Sequence, residues 1–536
     1  MTTTAPVDSF VRDRLPPPAL QPEFRFDLAE LDYPARLNAA VALLDGQDAA
    51  SLAIVNAATS WTYGDLRARS DAIARILVEQ EGLVPGNRVL LRGPNTALMF
   101  AAWLGILKAG GVVVATMPIL RAGEVATILD RAQVSHAIVD NRSIADFEVA
   151  RQASPTLRST LVYDGDAGTG DLEARMAMVA PGFPPVATHR DDPALIAFTS
   201  GTTGKPKGCI QFHRDILAPA DAFARHILAP GPHDRWLCSA PIAFTFGLGM
   251  QLIFPWRFGG TAVTLEKADP QGLLDTVERF GVTILGTAPT AYKAMLGLMK
   301  AAPASLRLCV SAGEHLPETV WQSWREATRL AIVNGIGATE MMHIFVSASG
   351  TDIRPGATGR AVPGYEVAIL DSTDQPIDIG TGRLAVKGPT GCRYLDDERQ
   401  RGYVVNGWNV TGDTYRRDAD GYLFYVARSD DMIVSSGYNI GAPEVENALC
   451  GHPAVQECAV VGAPCPERGM KVKAFVVVTP GSDAGPTLAR ALQDHVKASI
   501  APYKYPRQIA FVDALPKTAT GKIQRFALRE EPYART

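Results

Sequence analysis

The sequence predicts an α/β protein with a large N-terminal domain of layered α/β sheets, a β-rich subdomain and a small C-terminal α+β domain. With 536 residues, the chain is longer than a single hydrophobic core usually supports. Between about residues 50 and 290, short β-rich runs alternate with helical patterns, which is typical of βαβ units. Beyond residue 350 the pattern changes to short strands with glycine turns, and a smaller α/β unit follows Asp430. We therefore expect two domains, over residues 1–429 and 430–536.

The individual elements follow from local periodicity and from turn residues. In the first part of the chain, the predicted strands are Arg88–Leu91, His136–Val139, Leu195–Phe198 and Val282–Gly286, and the predicted helices are Thr96–Leu107 and Pro289–Met299. In the β-rich subdomain we expect strands at Gly364–Leu370, Gly382–Lys387 and Gly421–Val426. In the C-terminal unit we expect strands at Gln456–Val461 and Lys473–Val478, and helices at Pro443–Cys450 and Thr487–Ile500. The proline-rich first 20 residues are expected to wrap loosely over the surface.

The composition argues against several classes of protein. A formal net charge of −4 gives no reason to expect a nucleic acid or an anionic membrane as partner. The seven cysteines show no zinc-like spacing, and their odd number is typical of reduced thiols in a cytoplasmic protein. The N-terminus lacks the apolar core of a secretory signal. The most apolar stretch, Ala97–Ala115, is interrupted by Lys108 and is predicted as a core helix followed by a strand instead of a membrane span.

A loop rich in glycine and threonine is the strongest functional signal. The apolar strand Ile196–Phe198 runs directly into TSGTTGKPKG, which is Thr199–Gly208. Glycines let successive backbone N–H groups converge on an anion, hydroxyl side chains add donors, and Lys207 adds positive charge. The spacing is not that of a Walker A loop. We predict that the loop binds phosphate groups through Thr199, Ser200, Gly201, Thr202, Thr203, Gly204 and Lys205.

A second glycine-rich segment follows the predicted strand Ala331–Asn334 and reads GIGATE, which is Gly335–Glu340. It partly fits the G-x-G-x-x-G pattern of dinucleotide-binding sites, but Glu340 stands where the third glycine belongs. A carboxylate at that position would repel a pyrophosphate unless a metal ion lay between them. The pattern therefore argues against an NAD-dependent oxidoreductase.

The loop Thr199–Gly208 resembles the signature loop of the adenylate-forming superfamily, which includes acyl- and aryl-CoA synthetases, carrier-protein-loading adenylation domains and beetle luciferases. The resemblance implies that Thr339 contacts the α-phosphate of ATP and that Glu340 binds Mg²⁺. It also implies a set of residues around the nucleotide, which are Ser311, Ala312, Gly313, Glu314, Asn334, Gly335, Ile336 and Gly337. Among these, Asn334 is the residue expected to form a hydrogen bond with the adenine amino group.

Two further motifs match the superfamily in order along the chain. Trp408–Asp413 resembles W-x-x-T-G-D, which implies that Asp413 accepts both ribose hydroxyls and that Arg428 reaches ribose or phosphate. Leu515–Ile523 resembles the C-terminal P-x-T-x-S/T-G-K-I motif. This match implies that Lys522 is a catalytic lysine, which would reduce the repulsion between the acid carboxylate and the α-phosphate as they approach.

The resemblance further implies a mobile C-terminal domain that turns between two half-reactions. The hinge would be Asp430, and the segment Ser435–Ile440 would then face the thiol half-reaction. Three residues of this segment are expected at the cofactor site, which are Ser436, Gly437 and Tyr438. Many relatives carry lysine where Val434 stands, so any nucleotide contact made by that lysine is absent here.

The segments around the expected acid site resemble the benzoate–CoA ligase branch of the superfamily. They are Ser311–Pro317, Gly335–Phe345 and Arg354–Tyr365, and the segment 241–249 lies where the superfamily builds one wall of the acid pocket. The resemblance implies a pocket formed by Ala243, Phe244, Phe246, Gly337, His343 and Ile344. Phe246 replaces the tyrosine expected in benzoate ligases. His343 could bond the carboxylate or an ortho amino group, which makes 2-aminobenzoate a candidate substrate.

The sequence therefore predicts a cytoplasmic, ATP-dependent aryl acid–CoA ligase, monomeric or homodimeric, that uses Mg²⁺ and coenzyme A. The expected reaction joins a small aromatic carboxylic acid to AMP with release of pyrophosphate, and then to CoA with release of AMP. An enzyme that loads an aryl acid onto a separate carrier protein shares every ATP motif and stays open as an alternative. A non-catalytic nucleotide-binding regulator would be free to lose Glu340 and Lys522, and both are present.

Overall fold

The computed structural model describes residues 7–165, 168–199, 206–428, 431–435, 438–465, 469–517 and 523–529 of the chain. The described strands form four sheets. Two of these sheets are mixed and belong to the large N-terminal part, the third is an antiparallel β-rich layer, and the fourth belongs to the C-terminal part.

The two mixed sheets alternate with helices along the chain. Their strands are β1 (Leu52–Val55), β2 (Ser60–Thr62), β3 (Arg88–Arg92), β4 (Val112–Thr116), β5 (His136–Asp140), β6 (Ser159–Tyr163), β7 (Pro193–Thr199), β8 (Lys207–Phe212), β9 (Arg235–Cys238), β10 (Thr261–Val263), β11 (Ile284–Thr287), β12 (Leu308–Ser311), β13 (Ile332–Gly337), β14 (Ile344–Ser347) and β15 (Arg360–Ala361). One sheet has the order β6-β5-β3-β4-β7-β8, and the other has the order β15-β14-β13-β12-β11-β9-β10-β1-β2. Strands β9, β11, β12 and β13 are mutually parallel, so their carboxyl ends meet at one edge.

The described helices alternate with these strands and with the strands of the other two sheets. They are α1 (Ala39–Leu44), α2 (Tyr63–Arg75), α3 (Ala97–Lys108), α4 (Ala122–Ala132), α5 (Ile144–Arg151), α6 (Asp171–Met176), α7 (His213–Pro219), α8 (Thr245–Leu248), α9 (Phe254–Arg257), α10 (Pro270–Phe280), α11 (Pro289–Leu298), α12 (Glu318–Thr328), α13 (Gln400–Tyr403), α14 (Ala442–Cys450), α15 (Pro486–Ser499) and α16 (Arg525–Arg529). Segments of π-helix are Ile76–Gln80, Ala220–Leu228 and Gly249–Ile253. Single 3₁₀ turns are Arg12–Arg14, Pro18–Leu20, Ala29–Leu31, Asn141–Ser143, Gly350–Asp352 and Pro502–Lys504.

Helix α3 is wholly buried in the core of the large domain. Thr96 caps its N-terminus, because the Thr96 hydroxyl accepts a hydrogen bond from the Met99 backbone N–H at 3.2 Å. At its other end the ammonium of Lys108 donates to Ser70 Oγ at 2.8 Å and to Asp71 Oδ1 at 2.6 Å. The burial of this lysine is therefore compensated by hydrogen bonds, and the apolar stretch is a core helix followed by β4, as predicted.

Among the described helices, none has the length and the apolar character that crossing a membrane requires.

The remaining strands build the β-rich layer and the C-terminal sheet. They are β16 (Glu366–Leu370), β17 (Pro376–Ile377), β18 (Gly380–Lys387), β19 (Val404–Val405), β20 (Trp408–Arg417), β21 (Leu423–Arg428), β22 (Ile433–Ser435), β23 (Tyr438–Ile440), β24 (Val455–Cys465), β25 (Gly469–Val478) and β26 (Gln508–Phe511). The β-rich layer has the order β17-β16-β18-β20-β19, with β21 paired to β20. The C-terminal sheet has the order β23-β22-β25-β24, with β26 parallel to β25.

The C-terminal part has a hydrophobic core of its own. That core is formed by side chains of α14, α15 and the C-terminal sheet, which include Val445, Leu449, Val460, Val472, Leu492 and Val496. A mixed α/β chain with a large N-terminal and a smaller C-terminal domain is therefore present, as the sequence predicts. The predicted strands and helices are all found, and their ends differ by a few residues, with β24 and β25 extending furthest because they pair over almost their whole length.

The expectation that the first 20 residues wrap loosely over the surface is wrong for residues 7–20. Val11 is 2% exposed and packs in the same hydrophobic cluster as Leu90. The carboxylate of Asp8 accepts hydrogen bonds from Asn87 and from the guanidinium of Arg88, which also lies over the Phe10 ring at 4.5 Å. These contacts hold the segment against β3, and the proline content alone did not reveal them.

Candidate active site

Two predicted nucleotide-site residues lie at the carboxyl edge of the parallel strands. Ser311, at the end of β12, lies directly opposite Asn334 of β13. The Asn334 carbonyl accepts a hydrogen bond from Ser347 Oγ at 2.7 Å. The predicted segment Ala312–Glu314 follows β12 immediately, so it lies at the same edge. An open edge of this kind is where α/β sheets bind ligands.

The turn between β13 and β14, residues 338–343, carries three predicted site residues, which are Thr339, Glu340 and His343. Its backbone is closed by hydrogen bonds from Met341 N to the Ala338 carbonyl and from Met342 N to the Thr339 carbonyl, both at 3.1 Å. Met342 has a φ of 66°, which is uncommon for a residue other than glycine. This left-handed residue lets the chain reverse between Thr339 and His343.

Close approach of the chain explains Gly337 at the start of this turn. Gly337 lies opposite Ile344 in the β13–β14 pairing, and Ile344 is 1% exposed. A Cβ atom on Gly337 would lie 2.6 Å from the His343 carbonyl oxygen. The absence of a side chain at Gly337 therefore leaves room for the His343 backbone.

A β-hairpin presents the predicted phosphate loop. Thr199 at the end of β7 pairs with Lys207 at the start of β8. The guanidinium of Arg131 donates to the Pro206 carbonyl at 2.7 Å and pairs with Asp397 at 3.0 Å. Both ends of the loop are thus fixed to the large domain.

Glu340 is buried beside this hairpin, with 8% of its surface exposed. Its carboxylate accepts a short hydrogen bond from the hydroxyl of Tyr394. Gln211 of β8 donates its amide hydrogens to the carbonyls of Thr339, at 3.0 Å, and Glu340, at 3.3 Å. Burial, followed by the charge of Glu340, raises the pKa of Tyr394 far above its usual range, so the phenol stays protonated and donates.

His343 is enclosed by three aromatic rings on the other side of the same turn. The ring centroids of Phe254, Phe223 and Phe246 lie 4.6, 5.5 and 5.6 Å from that of His343. The site of a Cβ atom on Gly249 would be only 2.4 Å from His343 Cδ2. His343 is 3% exposed, and neither ring nitrogen has a hydrogen-bond partner among the described residues.

Burial determines the charge of this histidine. It lowers the pKa of His343 to about 3, so the imidazole is neutral near pH 7 and carries one donor and one acceptor nitrogen. Two buried polar atoms without a hydrogen-bond partner among the described residues are energetically costly.

The predicted wall 241–249 lies against this enclosure. Phe244 precedes helix α8, and its N–H donates to the Pro241 carbonyl at 3.0 Å. Ala243 and Phe246 are half-buried and pack on the main hydrophobic core. The segment therefore supplies an apolar wall, with the Phe246 ring facing His343.

The predicted ribose-binding pair lies on two adjacent strands. Asp413 of β20 and Arg428 of β21 are direct partners in the pairing, and Arg428 Nη1 lies 3.4 Å from Asp413 Oδ1. Asp413 is 9% exposed, which leaves a carboxylate edge accessible. The arrangement suits a carboxylate that accepts hydroxyl hydrogens while a neighbouring cation holds it in place.

The C-terminal domain contacts the large domain close to these groups. Helix α14 packs against β21. Asn447 Nδ2 lies 3.3 Å from His315 Nε2, and the His315 ring stacks on that of Tyr425 with centroids 5.3 Å apart. Lys293 of α11 donates to the Gln456 carbonyl at 2.9 Å. His315 directly follows Glu314, so the contact adjoins the predicted nucleotide segment.

Several predicted site residues lie outside the described part of the chain. They are Ser200, Gly201, Thr202, Thr203, Gly204, Lys205, Asp430, Ser436, Gly437 and Lys522, together with the side chain of Tyr438. The described residues on either side of two of these segments are paired with each other. Thr199 pairs with Lys207, and Lys517 forms a backbone bridge with Ile523, which packs on a C-terminal hydrophobic cluster.

Four residues of the site were missed by the sequence analysis. Gln211 and Tyr394 hold the Thr339–Glu340 backbone and the Glu340 carboxylate, and Phe223 and Phe254 enclose His343. Gln211 could have been found from the sequence. Alternate residues of a strand share a face, and Gln211 shares a face with Lys207, which belongs to the predicted phosphate loop.

Comparison with known proteins identifies close relatives over nearly the whole chain. Residues 44–394 match the AMP-binding enzyme family, and residues 444–522 match the C-terminal domain of AMP-binding enzymes. The benzoate–CoA ligase of Thauera aromatica is 37% identical over 483 residues, which is 89% of this chain and 92% of the relative. The 4-hydroxybenzoate–CoA/benzoate–CoA ligase of Rhodopseudomonas palustris is 34% identical over 509 residues, which is 92% of this chain and 94% of the relative.

A solved structure has the same fold. The crystal structure of an anthranilate CoA ligase in complex with anthranoyl-AMP superposes with a TM-score of 0.88 at 35% sequence identity. The superposition covers 94% of this chain and 98% of the solved one.

The crowding at Gly337 leads to a test of the turn geometry. In Gly337→Ala the new Cβ atom would meet the His343 carbonyl group, and backbone atoms cannot rotate away as a side chain can. We expect Tm to fall by several degrees in thermal unfolding. Gly297→Ala is the matched control, because that helical position has no heavy atom within 4 Å of the new methyl and alanine favours the helix. A Gly337→Ala protein with the wild-type Tm would contradict this account of the turn.

Proposed function

The chain belongs to the AMP-binding enzyme family and is an AMP-forming acid–CoA ligase of the benzoate–CoA ligase branch, and we propose that its acid substrate is a small aromatic carboxylate. We further propose 2-aminobenzoate as the preferred acid. The proposed reaction forms an aryl-adenylate from the acid and ATP with release of pyrophosphate. The CoA thiol then displaces AMP to give an aryl-CoA thioester.

The enclosure of His343 is the observation that carries the choice of acid. Phe246 is half-buried and offers a flat surface against which an aromatic ring can stack, whereas Phe223 and Phe254 are buried and complete the apolar surrounding of His343. Neither nitrogen of the neutral imidazole forms a hydrogen bond of normal geometry with the described residues, although the Phe246 backbone acts to raise the imidazole pKa. A ring substituent that can donate and accept hydrogen bonds without carrying a charge would satisfy the imidazole, and an amino group fits that description.

The phosphate end of ATP is proposed to lie between Glu340 and the Thr199–Gly208 hairpin. Lys207 and the Thr199 end of the hairpin supply donors, and Thr339 would contact the α-phosphate. Glu340 fits a magnesium ligand, because Mg²⁺ in proteins is usually held by one or two carboxylates together with substrate phosphates and water. When bound, Mg²⁺ would neutralise negative charge on the leaving pyrophosphate.

The two half-reactions balance without a protein nucleophile. In the first, a carboxylate oxygen attacks the α-phosphorus and the bond to the pyrophosphate oxygen breaks. Lys522 is proposed to offset the repulsion between the two anions, and Asp413 and Arg428 to hold the ribose. In the second, the CoA sulfur attacks the carbonyl carbon after losing its proton, and AMP leaves.

The domain arrangement is proposed to support this sequence of steps. We place the boundary between residues 1–429 and 430–536, with Asp430 as the hinge. The described contacts between the two parts include polar ones, such as Lys293 with Gln456 and Asn447 with His315, which suit an interface that separates and forms again. Ser436, Gly437 and Tyr438 are then proposed to face CoA.

An acid panel tests the proposed function. We expect acid-dependent AMP release in the presence of CoA to be fastest with 2-aminobenzoate, followed by benzoate and hydroxybenzoates, with cyclohexanecarboxylate and a short fatty acid far slower. The reason is that only the aromatic acids can stack on the half-buried ring of Phe246. Preference for the fatty acid would exclude the aryl assignment. Replacing CoA by a pantetheinylated carrier protein tests the acceptor, and faster turnover with the carrier would exclude free CoA.

Substitution of His343 tests the finer assignment. In His343→Phe, which keeps an aromatic ring and removes both nitrogens, we expect kcat/KM for 2-aminobenzoate to fall about 10-fold or more relative to that for benzoate. Phe223→Leu is the control, since it alters the same enclosure without removing a polar atom. An unchanged ratio of the two kcat/KM values in His343→Phe would rule out the amino-group contact. The assignment of an aromatic acid would then depend on the acid panel alone.

Substitution of Lys522 tests its role in only one half-reaction. In Lys522→Ala we expect adenylate formation to slow by about 100-fold or more, because a positive charge that stabilises the transition state is lost. Thioester formation from supplied aryl-adenylate and CoA should change by only a few-fold. Lys517→Ala is the control, because Lys517 pairs with Glu457 at 2.7 Å in the same segment. Equal losses in both half-reactions of Lys522→Ala would contradict the proposed role.

A further inference from the structure

We propose that Tyr394 is a positioning residue that ties the carboxylate of Glu340 to the ammonium of Lys207, and so fixes both groups for the magnesium–phosphate end of ATP. The proposal rests on the role proposed above for Glu340. Nothing in the sequence motifs assigns a role to Tyr394, which lies 54 residues beyond Glu340 in the chain.

The phenol of Tyr394 forms hydrogen bonds with both charged groups. Its hydroxyl donates to Glu340 Oε1 and accepts from Lys207 Nζ at 3.1 Å. The same ammonium lies 4.9 Å from the centroid of the Tyr394 ring. One side chain, itself 1% exposed, is therefore the link between the predicted phosphate loop and the predicted metal ligand.

The position of Tyr394 is determined by several independent contacts. Its backbone forms an antiparallel bridge with Cys209 of β8, and the Ile210 N–H donates to the Arg393 carbonyl at 2.8 Å. Its own N–H donates to Gln400 Oε1 at 2.9 Å. A side chain held in this way can fix its partners, because little conformational freedom remains to be lost.

The strand geometry of β8 explains why these groups meet. Alternate residues of a strand lie on the same face, which places Lys207, Cys209 and Gln211 together. Lys207 bonds Tyr394, and Gln211 bonds the carbonyls of Thr339 and Glu340. One face of β8 therefore carries both the phosphate-loop cation and the support for the metal-ligand turn.

A phenol between the two charges has a chemical advantage over a direct ion pair. Among the described residues, Lys207 and Glu340 form no salt bridge with each other. A direct pair would use the donor and acceptor capacity that the phosphates and the metal ion need. The phenol occupies only one acceptor site of the carboxylate and one hydrogen of the ammonium, so both groups stay charged and available.

Tyr403 provides a matched control within the same aromatic pair. Its ring packs edge-on against that of Tyr394, with centroids 5.7 Å apart. Its hydroxyl is buried and has no hydrogen-bond partner among the described residues. Tyr403→Phe therefore makes the same chemical change as Tyr394→Phe beside the site, without breaking a hydrogen bond.

The experiment measures metal binding directly, without turnover. Mn²⁺ binding to the full-length enzyme with ATP, in the absence of acid and CoA, is followed by electron paramagnetic resonance for the wild type, Tyr394→Phe, Tyr403→Phe and Glu340→Gln. In Tyr394→Phe we expect the affinity for Mn²⁺ to fall about 10-fold or more, as is usual when a hydrogen-bond partner of a metal ligand is lost. Tyr403→Phe should bind Mn²⁺ like the wild type, and both tyrosine variants should remain folded at the assay temperature, as checked by thermal unfolding.

A double substitution distinguishes this proposal from the role of Glu340. If Tyr394 acts through Glu340, Tyr394→Phe should cause no further loss of Mn²⁺ affinity in a Glu340→Gln background. Either wild-type Mn²⁺ binding in Tyr394→Phe or equal losses of Mn²⁺ affinity in the two tyrosine variants would overturn the proposal. Wild-type Mn²⁺ binding in Glu340→Gln would overturn the role of Glu340 itself, whatever Tyr394→Phe does.

Discussion

The site depends on one backbone constraint, which is the reversal of the chain between β13 and β14. The left-handed Met342 and the close contact at Gly337 permit a single tight path for this turn. Side chains from distant segments fix it, since Gln211 bonds the Thr339 carbonyl and Thr390 Oγ1 donates to the Met341 carbonyl at 2.8 Å. The turn is short and is fixed by hydrogen bonds from other segments. The Glu340 carboxylate and the His343 imidazole are therefore three positions apart and have different surroundings. The proposed chemistry and the proposed choice of acid thus share one piece of backbone.

Support for this turn extends to the N-terminal segment. Arg393, next to Tyr394, is 1% exposed and pairs with the buried carboxylate of Asp215 at 2.7 Å. Its guanidinium lies between the rings of Phe24 and Phe212, at 4.2 and 4.0 Å from their centroids. A buried ion pair costs desolvation energy, and here hydrogen bonding and two aromatic faces offset that cost. The N-terminal segment therefore has a structural role beneath the site, which explains why its residues are packed and not loose.

The sequence predicted the positions of the chemistry better than the contacts that hold it. Strand–helix alternation placed Glu340 just after a strand, as in the structure, because glycine turns and apolar strands are local signals, whereas Asp413 lies within β20. Tyr394 and Gln211 could not be located in this way, since their partners lie 54 and 129 residues away and no local pattern encodes the pairing. The docking of Asp8 on Arg88 escaped prediction for the same reason. Sequence patterns describe the local structure of one segment. The site is formed by several segments that tertiary packing brings together, and a local pattern does not encode that packing.

The two sides of the turn differ in polarity, and this difference orients the proposed acid. On one side, Glu340 and Lys207 are charged and linked through a phenol, which favours anions and a cation. On the other side, His343 is held neutral by its apolar enclosure, where a carboxylate would lose its hydration without gaining a positive partner. We therefore propose that the carboxylate of the acid points toward the phosphate side and that its ring lies on the apolar side, against Phe246. In that orientation only an uncharged ring substituent can reach His343, so the histidine can select among aromatic acids without taking part in the chemistry at phosphorus.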